Sequence, residues 1–463
     1  MSHNASAVLT AGVARVAITP PVGIALTGFA GRPPSNGIHD DLLATALVLA
    51  ERTPGGDDPA SRVALVTLDL LGMYGEEIAA SIKSQVESVT GIPAARVFLA
   101  CSHTHYGPVV SADQDMEGGA TAQALAYQAA LPHHIAGAVA MADGARRPVT
   151  LAAGRGSVQI GINRRERRPD GRIVLGQNPQ GTLDAEVQVW RLDAADGDPV
   201  EPGAPLGWLR RATEPVAVLL NYACHPVSLG GQTRQITADF PGVARTVVER
   251  LVGGTGIYLQ GACGNINPSL MGADWTHPLR LGHVLGAEAA RVALLAQPIA
   301  GTPLRVARET VAFPGLLPPS LEAGRERVAT LIAEQERLAA QEGNTGARWW
   351  NQRGLAQARR ALTALEGGEP LLLHGDLSVL RLGDAALACN PSELFCEIGL
   401  GIKQASPFPW TAVAGYTDGA LWYVPTRAAY PEGGYEVDRA CRVAPEAGEL
   451  LQEVTLRLLH SLR

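Results

Sequence analysis

Three histidines stand where an apolar run gives way to a turn. Cys101-Ser-His-Thr-His-Tyr-Gly-Pro108 follows a run ending at Ala100, and Cys224-His225-Pro226 follows another at 216–223. Side chains two apart in a strand share a side, so His103 and His105 can face one site. Imidazole binds metals and carries protons near neutral pH, and histidine pairs at such places are common zinc ligands. The Gly-Pro pair after them turns the chain away. Either cluster alone could be loop histidine bonded to backbone. Both in one chain put a metal site on an equal footing with that reading.

Four further segments could serve such a site. Asp239, in Ala238-Asp-Phe-Pro-Gly242, could orient a histidine through its second ring nitrogen or cap the following helix. Leu259-Gln-Gly-Ala-Cys-Gly-Asn-Ile-Asn-Pro268 lacks the lysine and spacing of a phosphate loop, so close backbone approach to a ligand is the better reading. Glu393, in Cys389-Asn-Pro-Ser-Glu-Leu-Phe395, reads from spacing alone as a first-turn glutamate complementing a helix dipole. Gly415-Tyr-Thr-Asp-Gly-Ala-Leu-Trp-Tyr-Val-Pro-Thr426, with Gly433-Gly-Tyr-Glu436 after it, is dense in glycine and aromatics. It could line a pocket or pack a core.

Positioning these residues needs strands that end together. Apolar runs predict strands at 45–51, 62–70, 97–101, 216–223, 256–260 and 377–390. Helical periodicity predicts helices at 76–90, 121–142, 242–252, 280–296 and 447–461. The alternation indicates an α/β fold, with mixed sheets and flanking helices. Residues 319–341 and 346–366 predict a helical pair turning at Gly343–Asn344, with a polar outer face. The expected organisation is one catalytic domain over 1–463 carrying a helical-hairpin insertion at 319–366. Trp349 and Trp350, adjacent on that hairpin, suit a cover over a pocket or a contact between copies.

Composition narrows the class. The 463 residues are 46% hydrophobic and 18% charged, enough to bury a sizeable core. A net charge of −7, and an arginine run confined to Arg164, Arg165, Arg167 and Arg168, argue against nucleic acid as a partner. None of the six cysteines forms a CxxC pair, so buried reduced thiols are expected. No basic segment precedes an apolar one at the start, so a secretory leader is not expected. No apolar run approaches the ~18 residues of a membrane span. A cytoplasmic location is the expectation, with homo-oligomerisation left open.

The order of these clusters resembles the neutral/alkaline, non-lysosomal ceramidases, in their amino-terminal catalytic domain. The likeness runs from Gly12-Val-Ala-Arg-Val-Ala-Ile-Thr-Pro-Pro-Val-Gly23, through Gly37-Ile-His-Asp-Asp41 and Ser-His-Thr-His-Tyr-Gly-Pro, to Gly434-Tyr-Glu436. The resemblance implies a neutral-ceramidase-like fold and a Zn²⁺ site formed by His103, His225, Glu393 and Tyr423, with Tyr416 the weaker tyrosine. It implies that His105 either supports a metal ligand from behind or faces the substrate, and that Arg164, in Ile162-Asn-Arg164, lies near the reacting centre. Asn267 stands where the family carries a serine before proline. Asparagine cannot be a nucleophile, so direct attack by zinc-activated water is expected rather than an acyl-enzyme. The sequence ends soon after these motifs, so the carboxy-terminal immunoglobulin-like domain of the long ceramidases is not expected.

The expected function is therefore cleavage of an amide in a small, soluble molecule rather than membrane ceramide. His105, with Arg164 or Tyr423, would stabilise the oxyanion, His105 would also be the general acid, and Asn267 would bind polar substrate atoms. The same zinc water could instead open an ester or lactone. A non-catalytic binding protein stabilised by its metal is the third reading, since two histidines, a glutamate and a tyrosine already make four ligands.

Overall fold

Alternating side chains in the long strands bury both faces, and two packed sheets are the consequence. The computed structural model describes residues 8–52, 57–111, 121–195, 215–341 and 343–463. The larger sheet runs, in spatial order, Thr255–Gln260, Pro215–Tyr222, Glu186–Ala194, Arg147–Ser157, Val8–Ala17, Leu43–Arg52, Val63–Leu68 and Val97–Cys101. It is mixed. The outermost pair at each end is parallel and the pairs between are antiparallel. The smaller sheet runs Leu304–Pro314, Leu372–Leu382, Ala385–Cys389 and Trp410–Ala414.

The pleat sorts the apolar residues into three cores. On one face of the larger sheet, Ala46, Val66, Leu99, Val189 and Val218 pack against Ile82, Ile135, Phe240, Ala244 and Leu285 of the outer helices. The alternate residues Leu47, Leu65, Phe98 and Leu219 point the other way, onto Leu380, Leu387 and Ala412 of the smaller sheet. The smaller sheet's far face, including Val379, Ala388 and Val413, packs under Ile398, Ile402, Leu451 and Val454. The layers are thus helices, sheet, sheet, helices. Asn221 ties the sheets at the site end, its amide donating to Leu259 O and Val413 O, both at 3.0 Å.

The α/β expectation holds, and two particulars matter. The strands expected over 377–390 are an antiparallel pair, Leu382 facing Ala385 across a turn at Gly383. Gly383 has φ 59°, a left-handed value glycine adopts without strain. The helices Leu321–Ala339 and Thr345–Gly367 lie between strands Leu304–Pro314 and Leu372–Leu382, which pair along their length from Leu304↔Leu382 to Pro314↔Leu372. They therefore occupy the loop of a β-hairpin. All six cysteines are buried and unbridged. Among the described residues no helix is long and apolar enough to cross a membrane.

Candidate metal centre and pocket

Four chain segments converge where strands of both sheets end. Strand Val97–Cys101 delivers Ser102 and then His103. Strand Pro215–Tyr222 runs on to His225. The short parallel strands Ser392–Leu394 and Trp422–Val424 bring Glu393 beside Tyr423. Glu393 is therefore a strand residue, and the first-turn acid of the helix Cys396–Ala405 is Glu397. The helix-dipole reading of Glu393 does not hold.

His103 and His105 face one another as expected, though for a different reason. The strand stops at Cys101, and His103 takes a left-handed φ of 67°. It is a loop bend, not the pleat, that turns the two rings together. Their Nε2 atoms lie 3.3 Å apart, with the rings perpendicular. Left-handed φ is uncommon for residues with side chains and persists where the surroundings over-determine it. Tyr416 and Trp422, at φ 56° and 68°, are two more such residues at this site.

Hydrogen bonding decides which ring nitrogens are free. His103 Nδ1 lies 2.7 Å from Leu71 O. His225 Nδ1 lies 2.7 Å from Cys263 O and 3.1 Å from Ile266 O. A carbonyl can only accept, so both Nδ1 atoms carry hydrogen and both Nε2 atoms keep a lone pair when neutral. These two nitrogens converge on one atom, Glu393 Oε2, each at 3.3 Å. Among the described residues, ring nitrogens of His103, His105 and His225 all lie within 4.8 Å of one another.

The electrostatics favour neutral rings at His225 and His105 beside one carboxylate. Burial and then the Arg164 guanidinium depress His225 to about 4. Burial, His103 and His225 hold His105 well below its ordinary value. Burial would raise Glu393, but charge and hydrogen bonds from His103 and His225 outweigh it and hold the carboxyl well below the usual range. Lone pairs of His225 and Glu393 thus face each other with no proton between them, an arrangement that a shared cation relieves. The donor set fits a metal ion of the zinc type, which takes imidazole and carboxylate together.

Tyr423, not Tyr416, presents its hydroxyl here. Tyr423 Oη is 3.4 Å from His225 Nε2. Tyr416 stacks its ring on His103, with centroids 3.8 Å apart, and turns its hydroxyl to Cys263 Sγ. Arg164 organises the surroundings. It donates from Nε to Glu436 at 2.7 Å, from Nη2 to Tyr423 Oη at 2.8 Å and from Nη1 to Asn267 Oδ1 at 3.1 Å. Burial opposes the Arg164 charge, but Tyr423 and Glu436 hold it protonated. Asn267 also contacts Met271 Sδ. Neither Arg164 nor Asn267 borders the pocket, whereas His103, His105, Glu393 and Tyr423 do.

Asp239 orients no histidine. Its carboxylate accepts from Ser228 N at 2.9 Å and Phe240 N at 2.6 Å, and from the Ser228 hydroxyl. It is the first residue of the helix Asp239–Val252, whose N-cap is Ala238 with no side-chain cap bond, so Asp239 is not the cap either; it accepts from the first-turn N–H of Phe240. The sequence offered no signal for Tyr74 as a site residue, and Glu436 lay in a quoted motif without a role. Tyr435 shared that motif, yet it lines the pocket edge-on to Tyr423 at 5.8 Å. The tryptophans of the inserted hairpin, Trp349 and Trp350, line it as well.

No protein-family model matches the chain, and no curated protein matches it by sequence. Solved structures do. A ceramidase complexed with C2 superposes with a TM-score of 0.74 at 18% identity, covering 99% of this chain and 76% of its own. The neutral ceramidase from Pseudomonas aeruginosa superposes with a TM-score of 0.72, also at 18% identity, covering 99% of this chain and 75% of its own. The shared feature at this identity is the fold, a neutral-ceramidase-like mixed α/β architecture.

Proposed function

We propose that this chain is a zinc-dependent hydrolase that cleaves an amide bond in a small molecule. The observation that carries the reading is the convergence of His103 Nε2 and His225 Nε2 on Glu393 Oε2, each at 3.3 Å, with both Nδ1 atoms committed to carbonyls. His103, His225 and Glu393 would hold the ion, with Tyr423 beside them. Bound there, zinc supplies an acidified water and an electrophile for a carbonyl oxygen.

The protein's own groups divide the remaining work. His105 lines the pocket and is neutral at physiological pH, so it can accept a proton from water and pass it to the departing amine. Tyr423 faces the pocket with Arg164 Nη2 donating to its oxygen, which makes its hydroxyl a stronger donor to a developing oxyanion. Arg164 acts through Tyr423 and His225, and Glu436 holds Arg164. Asn267 completes that support instead of meeting substrate. The likeness of the fold to structures of ceramidases favours an amide over an ester or lactone, whose cleavage needs less help at the leaving group.

A second reading of His105 has its own observation. Its Nε2 lies 3.3 Å from His103 Nε2, close enough for it to join the metal as a third imidazole. The overall test is metal content with turnover. About one zinc per chain, and amide cleavage abolished by chelation and restored by zinc, are expected. A protein that binds no zinc, or cleaves amides equally well when stripped, would overturn the reading.

A further inference from the structure

The pocket beside the histidines has a wall with a chemistry of its own. It is built from Tyr74, Trp349, Trp350, Trp422 and Tyr435. Trp350 meets Trp349 at 4.7 Å, Tyr435 at 5.7 Å and Trp422 at 6.4 Å, each contact close to edge-on. Such edge-to-face packing is the favoured geometry for aromatic pairs. Trp422 is fixed from several directions. Its backbone is left-handed, Tyr74 packs at 5.4 Å, and the Arg353 and Arg442 guanidinium groups lie 3.5 Å and 4.9 Å from its ring centre.

Size and charge restrict what this wall can accept. The cavity has about 60 Å³ of free space open to water-sized molecules. That is under half of the roughly 150 Å³ of an engineered cavity that takes one benzene, in a pocket partly open to solvent. No lysine or arginine is among the described residues lining it, and Glu393 is the one carboxylate. Arg353 and Arg442 stack on Trp422 but are not among the lining residues, so a charged substituent placed against the tryptophans would lose hydration with no cation in the lining to meet it. A long alkyl chain would run into Trp349 and Trp350.

We propose that this aromatic wall is a specificity subsite for one compact, neutral, apolar acyl group, a single ring or a short chain, and that the inserted helix Thr345–Gly367 sets its length. The inference rests on the hydrolase reading for the bond that is cut. The wall and its size preference can be measured without turnover.

The test uses ketone isosteres, in which a methylene replaces the scissile NH, with acetyl, butanoyl, benzoyl, octanoyl, dodecanoyl and succinyl groups. Binding to the full-length protein is read from tryptophan fluorescence. Butanoyl and benzoyl should bind at least about tenfold tighter than dodecanoyl and succinyl, the scale of discrimination a shaped apolar pocket reaches. Trp350→Ala should shift the dodecanoyl-to-butanoyl ratio about tenfold towards the long chain, with Trp349→Ala shifting it the same way. Circular dichroism checks that each variant is folded. Affinity rising steadily through dodecanoyl, succinyl binding as well as butanoyl, no binding of any isostere, or a ratio unmoved in both folded variants would overturn the proposal. Amide cleavage is scored separately. The length preference without cleavage removes the hydrolase reading alone, and cleavage without the preference removes this one alone.

Discussion

The histidine cluster and the aromatic wall share one pocket but are built in opposite ways. The cluster is assembled from ends of strands in both sheets, its atoms fixed by backbone carbonyls at 2.7 Å. The wall takes Trp349 and Trp350 from the second of two helices lodged in the loop of a β-hairpin. Strand ends are rigid because each strand is held by its neighbours in the sheet, and metal chemistry tolerates little misplacement. A loop can accept an insertion with little effect on the sheets beneath it. The contrast separates the two proposals, which place the metal chemistry on loops held by sheet strands and the shape of the substrate group partly on a helix within a hairpin loop.

The sharpest test removes one side of this contrast. His225→Ala deletes a fully buried ring whose Nε2 faces Glu393. Bound zinc should be lost, and amide turnover should fall by at least about a thousandfold. Binding of the uncleavable isosteres to the wall should keep its length preference. If that preference vanished with the metal, the two regions would be one cooperative unit and the contrast would fail.

His105 lies on the border between the regions, packed by Gly28 and Phe29 on one side and His103 on the other. As proton carrier, its replacement in His105→Ala should cost about 10²–10⁴-fold in amide turnover and leave zinc content intact. Activated esters should suffer less, because their leaving groups need no proton. Zinc lost together with turnover would instead make His105 a ligand.

Much of the cluster was legible in the sequence because strand ends announce themselves. An apolar run followed by histidine and then proline or glycine marks His103, His105 and His225 without any fold in view. What was not legible was how the ends bend. Nothing local distinguishes a pleated His103 from one at φ 67°, since the bend is stabilised by Leu71 O and the Tyr416 ring, both distant in sequence. Glu393 looked like a helix start because the helix Cys396–Ala405 follows so closely. Its strand partner, Trp422–Val424, lies about thirty residues on and makes pairing visible only in space. Arg164 was singled out by resemblance, but its bonds to Glu436, Tyr423 and Asn267 span the chain and could not be read from spacing. The aromatic wall was legible in two separate pieces, the adjacent tryptophans that suited a cover or a contact and the aromatic segments around Trp422 and Tyr435 that could line a pocket or pack a core, but not in the contacts that join them.

Acid should separate the regions again, since the cluster titrates and the wall does not. In the folded, metal-free protein His225 is depressed from 6.5 to about 4 by burial and the Arg164 charge. A depressed folded value means that the unfolded chain binds the proton first. The associated stability is fully present above about pH 6.5 and is lost as pH falls through about 4, amounting to at most about 3 kcal/mol. Thermal unfolding of the chelated protein should therefore move to lower temperature across that window. In His225→Ala the slope should be shallower. An unchanged slope would place the acid sensitivity elsewhere. With zinc bound, loss of metal should accompany the same fall in pH, because the ligands must be deprotonated.

The smallest effect should come from loosening the wall at its base. Gly346 lies in the first turn of the inserted helix Thr345–Gly367, where an added Cβ would come 2.5 Å from Ala30 O, and Gly31 meets Gly346 N in the same way. Backbone against backbone leaves no flexible side chain to yield. Gly346→Val must move the start of the helix, and Trp349 and Trp350 lie within its next turn. Overpacking of this kind costs about 1–3 kcal/mol. Zinc content should stay at the wild-type level, while the preference for butanoyl over dodecanoyl isosteres should shrink several-fold. The same loop carries Gly28, whose added Cβ would run into the His105 ring at Nδ1. It is the path by which such a change could reach the cluster. If Gly346→Val lowered zinc binding as well as selectivity, the insertion would be part of the machinery that holds the metal, and the division between rigid strand ends and an added wall would have to be redrawn at His105.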